Sequence, residues 1–130
     1  MNNSVALTIP AKRDMILVAR MTTAGVLTRI GMSLDILEDM KMAAEESCQC
    51  MMSQSLTFEK LELEFTNAQR EISISVTGID GVENTEPAVI EPFSVDIVRC
   101  VLESMTDYVE LSGTEGRLTR IKVTKRLAAD

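Results

Sequence analysis

The 130-residue chain has no histidine, and three cysteines cannot by themselves complete an ordinary zinc ligand set. Cys48 and Cys50 stand at i and i+2 on an expected helix, where side chains diverge, and Cys100 is the only further thiol. All three are expected to be reduced, partly buried packing residues, with no metal site. No apolar run approaches the length of a bilayer crossing, and the first residues lack a basic-then-apolar export segment. A cytoplasmic protein without membrane contact is therefore expected. Basic residues are also scarce: 13 Lys and Arg against 20 Asp and Glu give a net charge of -7, which disfavours a broad phosphate-backbone footprint and hence direct nucleic-acid binding.

What is present is a core. With 45% hydrophobic residues, the chain can form one domain over residues 1–130 without metal or disulfide support. Ser4 to Ile9 is a short β-type run closed by Pro10. Apolar residues from Met15 to Ile30 recur at helical spacing until Gly31, which predicts a first helix over 12–30. Ser33 is a candidate N-cap for a second helix over 34–52, with Ile36, Leu37, Met40, Ala43, Ala44, Ser47 and Met51 as its stripe. Met40, Met42, Met51 and Met52 are expected to fill space between helix and sheet.

Residues 57–65 and 71–76 alternate with period two, and Thr66 to Arg70 between them predicts a hairpin connection. Gly78, Gly81, Pro87 and Pro92 predict an irregular connection after Val76. A third helix is expected over about 94–107, then strands at Tyr108 to Leu111 and Leu118 to Thr124. The order β-α-α-β-β-α-β-β predicts an α+β, two-layer sandwich: a mixed, mainly antiparallel sheet with helices on one face.

Several strings in this order carry a resemblance: Ala19-Arg-Met-Thr22, Ile36-Leu-Glu-Asp-Met-Lys-Met-Ala-Ala-Glu-Glu-Ser47, Leu102-Glu-Ser-Met-Thr-Asp-Tyr-Val109 and Ile121-Lys-Val-Thr-Lys-Arg-Leu127. The chain resembles the small bacterial anti-sigma factors that are also serine kinases of their antagonists, members of the histidine-kinase-like ATPase superfamily. That resemblance implies the superfamily fold, an ATP and Mg²⁺ site, and an E-x-x-x-N motif on the second helix. Glu46 matches the Glu, as a candidate general base, while Cys50 replaces the Asn that helps hold magnesium. A thiol is a poor ligand for Mg²⁺, which prefers oxygen.

In the family's D-x-G-x-G motif, the Asp accepts from the adenine amine. Here Gly78 stands at the Asp position and Asp80 at the first Gly position. Asp80 could replace that acceptor only if the backbone were displaced by roughly 6 to 7 Å. The glycine-rich stretch that meets phosphate corresponds to Val95 to Arg99, with Asp96 and Val98 at glycine positions and Arg99 as a partial offset. Leu118 stands where a late glycine precedes Thr119, and Glu83 to Pro92 is short for an ATP lid.

The resemblance, with these departures, implies a regulatory protein-binding module with a lost ATP site. An ATP-dependent serine-protein kinase acting on an anti-sigma antagonist is the alternative. The candidate site residues are Glu46 for catalysis, Cys50, Asp80, Arg99 and Thr119 for a residual ATP and Mg²⁺ site, and Arg20 for partner recognition. The implied partners are a second copy, in a homodimer, and an antagonist-like or sigma-like protein. Each residue also has a plainer account: Glu46 as an exposed helix carboxylate, Cys50 as packing, Asp80 as a turn residue, Arg20 as a solvated cation.

Overall fold

The computed structural model describes residues 3–54, 58–81, 95–114 and 117–127. Strand β1 (Asn3–Pro10) leads through a 3₁₀ turn at Arg13–Met15 into α1 (Ile16–Arg29), so the expected helix over 12–30 is α-helical only from Ile16. Gly31, at φ 77°, ends it. Met32 N–H reaches Leu27 O at 3.3 Å and Gly31 N–H reaches Thr28 O at 3.1 Å, the paired bonds of a Schellman cap that needs a residue tolerant of positive φ.

Helix α2 (Leu34–Met52) has the expected bounds. The Ser33 hydroxyl accepts from Ile36 N–H at 3.4 Å, and Asp35 lies in the first turn, where its charge favours the helix dipole. Its buried side chains are Met40, Ala43, Ala44, Ser47, Cys48 and Met51, one stripe at three and four residue spacings. Buried Ser47 donates to Ala43 O at 2.7 Å, and Thr23 on α1 to Ala19 O at 2.8 Å, so neither hydroxyl carries an unmet hydrogen bond into the core. The methionine expectation needs one correction: Met40 and Met51 are fully buried, but Met42 is exposed.

The sheet order is β1-β2-β3-β5-β4, and every neighbouring pair is antiparallel, which corrects the expected mixed sheet. Strands β2 (Lys60–Ala68) and β3 (Glu71–Ile79) form the central hairpin. Thr66, Asn67 and Ala68 belong to β2 rather than to the connection, which is only Gln69 and Arg70, both at positive φ. Two successive positive φ values match the right-handed twist of a hairpin, at a steric cost that Asn or Gly would have avoided. Gly78 likewise lies inside β3 rather than in an irregular connection. The expected lid at Glu83 to Pro92 lies outside the described residues.

Helix α3 (Val95–Glu103) stops four residues before the expected end at 107, and β4 (Tyr108–Thr114) and β5 (Arg117–Arg126) both run beyond their expected bounds. Of the expected α3 stripe, Leu102 is buried and Met105 follows it into the core, whereas Val95 and Val101 are exposed. Leu61, Leu63, Phe65, Ile72, Ile74, Val76, Ile121 and Val123 line the helix-facing side, and burying each such side chain contributes roughly 1.5–3 kcal/mol. The opposite side is polar, with a hydroxyl pair, Ser73 and Thr124, at 3.0 Å across β3 and β5.

Candidate functional site

At one end of the sheet the chain packs its own side chains where the sequence pattern suggested a nucleotide base. Glu59 N–H donates to Ile79 O at 2.9 Å and Ala11 N–H to Glu59 O at 3.0 Å, which fixes the entry to β2 and lays the Phe58 ring on Gly78. A Cβ at position 78 would overlap that ring, so this glycine is required by close approach rather than by a turn. Over Phe58 lies the Arg117 guanidinium, 4.0 Å from the ring centroid. Arg117 also grips Asp80 through both terminal nitrogens, Nη2 to Oδ1 at 2.6 Å and Nη1 to Oδ2 at 3.3 Å. Asp80 therefore spends both oxygens on an internal cation.

The neighbouring residue is held just as firmly. Gln54, past the end of α2 and buried, donates from Nε2 to Leu118 O at 2.9 Å and accepts from Leu118 N–H at 2.6 Å on Oε1. One side-chain amide thus satisfies both backbone groups of Leu118, as a neighbouring strand would. Leu118 itself is buried beside this cluster. The Thr119 hydroxyl donates to Ser112 O at 3.3 Å.

Glu46 and Cys50 come together, as one helical turn requires, in an open cleft of about 210 Å³ between α2 and α3. The facing wall is Ile97, Val98, Val101 and Leu102, and no cation is among the lining residues. Burial and, secondarily, Glu46 push the Cys50 thiol up to about 12, while burial and then Glu45 do the same to Cys48. A neutral thiol beside one carboxylate fits Mg²⁺ poorly. Among the described residues, no group of three His, Cys, Asp or Glu side chains is placed to hold a metal ion.

Arg99 is not part of this cleft. Its Nη1 donates to Val109 O at 3.0 Å on the β4 side of α3, where it shares a different cleft with Arg117. Arg20 pairs with Glu45 of α2 at 3.6 Å and remains partly exposed. The structure therefore joins Glu46 to Cys50 and Asp80 to Arg117; Arg99 borders Arg117 in its own cleft but stands apart from Glu46 and Cys50, and Arg20 is in neither cleft. Sequence reasoning missed Phe58, Arg117 and Gln54. The Gln54–Leu118 contact spans 64 residues, and no local pattern announces it.

The thiol environment makes a testable prediction. Cys100 is exposed, contrary to the expectation of three partly buried cysteines, and should react first with a thiolate-seeking reagent, with Cys48 and Cys50 following only as the chain opens. The unfolded chain ionises Cys48 and Cys50 near the ordinary 9.0, whereas the folded chain holds them protonated to about 12. Between these values the unfolded state binds fewer protons, so this contribution to stability, complete below 9.0, falls as pH rises towards 12. Urea melts should show a steeper alkaline loss for the natural chain than for Cys50→Ala; equal slopes would contradict the assignment.

No known protein-family profile matches the chain. Part of it is similar to known serine-protein kinases. Over 44 residues it is 43% identical to the serine-protein kinase RsbW of Bacillus thuringiensis (strain Al Hakam), and equally to those of Bacillus mycoides (strain KBAB4) and Bacillus cereus (strain B4264). The shared segment is 34% of this chain and spans only 28% of each relative's length. Among the described residues no helix is long and apolar enough to cross a membrane.

Proposed function

We propose that this chain is a regulatory protein-binding module of the histidine-kinase-like ATPase fold, related to the anti-sigma serine kinases but working without ATP. The observation that carries this reading is the stack of Arg117 on Phe58 on Gly78, with Asp80 held by Arg117. A base entering there would have to displace a ring and break an Arg–carboxylate fork. The cleft at Glu46 adds a second obstacle, because a triphosphate would meet a carboxylate and an apolar wall without a lining cation. A phosphate donor that is not held cannot be used, whatever base stands nearby.

The partial likeness to serine-protein kinases, together with Glu46 opening into a cleft, favours the second reading: an ATP-dependent serine-protein kinase acting on an antagonist. On the first reading the partners are a second copy of the chain and a sigma-like or antagonist-like protein, met through α1. Leu17 and Met21, one turn apart on α1, are 54% and 61% exposed, so apolar surface borders Arg20.

Arg20→Glu tests this. The Arg20–Glu45 pair is solvent-screened, so its loss should cost no more than about 1 kcal/mol of stability. Sedimentation of the natural and variant chains, alone and with a candidate sigma-like or antagonist-like protein, should show weakened association. Unchanged association in a folded variant would remove α1 from the proposal.

A further inference from the structure

We propose that the cleft between α3 and the β4–β5 hairpin is a seat for a carboxylate carried by a partner protein. The inference deepens the protein-binding reading and rests on it for the identity of the ligand's carrier. The cleft measures about 280 Å³ and lies on the far side of α3 from Glu46 and Cys50. Arg99 and Arg117 both line it, with Ser112 and Thr114 at the strand side, and among the described residues no Asp or Glu lines it. In a chain of net charge -7, this is a local reversal of sign.

The two arginines play different parts. Arg117 is fixed by Phe58 beneath it and Asp80 beside it, so its charge is largely offset, but its position is set in advance. Arg99 spends Nη1 on a neutral carbonyl, Val109 O, which orients the guanidinium without cancelling its charge. Among the described residues no carboxylate forms an ion pair with Arg99. Among the described residues the charge of the cleft is therefore close to that of a single guanidinium, which matches a carboxylate monoanion better than a phosphate dianion. A planar carboxylate also accepts the remaining N–H groups of a guanidinium side by side.

Gly113 keeps the rim narrow. The β4–β5 ladder shifts register between Ser112 and Gly113, and a Cβ at position 113 would collide with the Arg117 carbonyl, so the bulge brings the hairpin backbone close beside the arginine. Since β4 is an edge strand, an extended segment bearing the acid can approach this rim from solvent.

The test titrates the isotope-labelled full chain with a blocked glutamyl peptide, its glutaminyl analogue and inorganic phosphate, at constant ionic strength, following Arg99 Nε–H and the Gly113 and Thr114 amides. Saturable shifts with the glutamyl peptide are expected, roughly tenfold weaker with the glutaminyl analogue, as loss of a charged hydrogen bond implies. Arg99→Gln should abolish the preference, and Arg99→Lys, which keeps the charge and helical propensity but not the fork, should retain part of it; their amide spectra report that each variant is folded. Equal shifts with both peptides, stronger binding of phosphate, or a preference that survives in folded Arg99→Gln would overturn the assignment. Because neither nucleotide nor partner protein enters the experiment, its failure leaves the protein-binding reading standing, and failure of that reading leaves the carboxylate seat measurable.

Discussion

Gly78→Asp, the substitution that would supply the Asp of the D-x-G-x-G motif, is expected to damage the fold rather than create a nucleotide site. Its Cβ would overlap the Phe58 ring, and the carboxylate beyond would enter the space beneath Arg117. Overpacking combined with partial burial of a charge should cost at least about 2 kcal/mol, read as an earlier urea midpoint. Phe58→Ala alone should cost about 3 kcal/mol, because the ring is 5% exposed. Together the two changes should cost clearly less than their sum, since removing the ring removes the collision. Additivity within about 0.5 kcal/mol would mean that the residues do not share the space assigned to them.

Gln54→Ala should produce a second large loss, by a different mechanism. It leaves the Leu118 N–H and C=O without the side-chain partners that hold them at 2.6 and 2.9 Å, in a place where Leu118 is buried. Two unmet buried backbone groups correspond to roughly 2–4 kcal/mol, and Leu118 N–H should also exchange with solvent much faster. Gln54→Glu is the informative companion. Its carboxylate can still accept from Leu118 N–H but no longer donates to Leu118 O, so protection at that amide should survive while stability falls. Wild-type stability in Gln54→Ala would show that the clamp contributes nothing.

The parts of this fold legible in the sequence were those set by neighbours along the chain. Ser33 capping α2, Gly31 closing α1 and the alternation of Leu61, Leu63 and Phe65 each depend on a few adjacent residues, and each is found where the pattern put it. Turn chemistry was less legible. Thr66 to Ala68 interrupt the alternation and look like a connection, yet the strand continues through them because Gln69 and Arg70 take positive φ without Gly or Asn to mark the place. Met42 illustrates another limit: the periodic stripe leaves it out, its being a methionine alone suggested a filling role, and it is 52% exposed.

The site was legible only in outline. That Glu46 and Cys50 share a cleft follows from helical spacing, and that position 78 is a glycine rather than the Asp of the D-x-G-x-G motif can be read from the chain directly. What packs beside that glycine could not be read. The cluster is assembled from Phe58 before β2, Gly78 in β3 and Arg117 at the start of β5, and a hydrogen-bonding partner of Arg117, Asp80, lies 37 residues away. Such a contact exists only once β3 and β5 have paired, and pairing across the sheet is a property of topology rather than of local pattern. Arg99 shows the same limit, since its place in the stretch matching the phosphate motif suggested an offset to Asp96 there, whereas the folded helix turns it towards β4.

The central claim is that this chain's own side chains fill the nucleotide site, and titration calorimetry of the full chain with ATP and Mg²⁺ tests it most directly. The account predicts no saturable heat up to millimolar ATP, corresponding to a binding free energy weaker than about -4 kcal/mol. Stoichiometric, Mg²⁺-dependent binding with a dissociation constant on the order of micromolar, about -8 kcal/mol, would contradict it and restore the kinase reading.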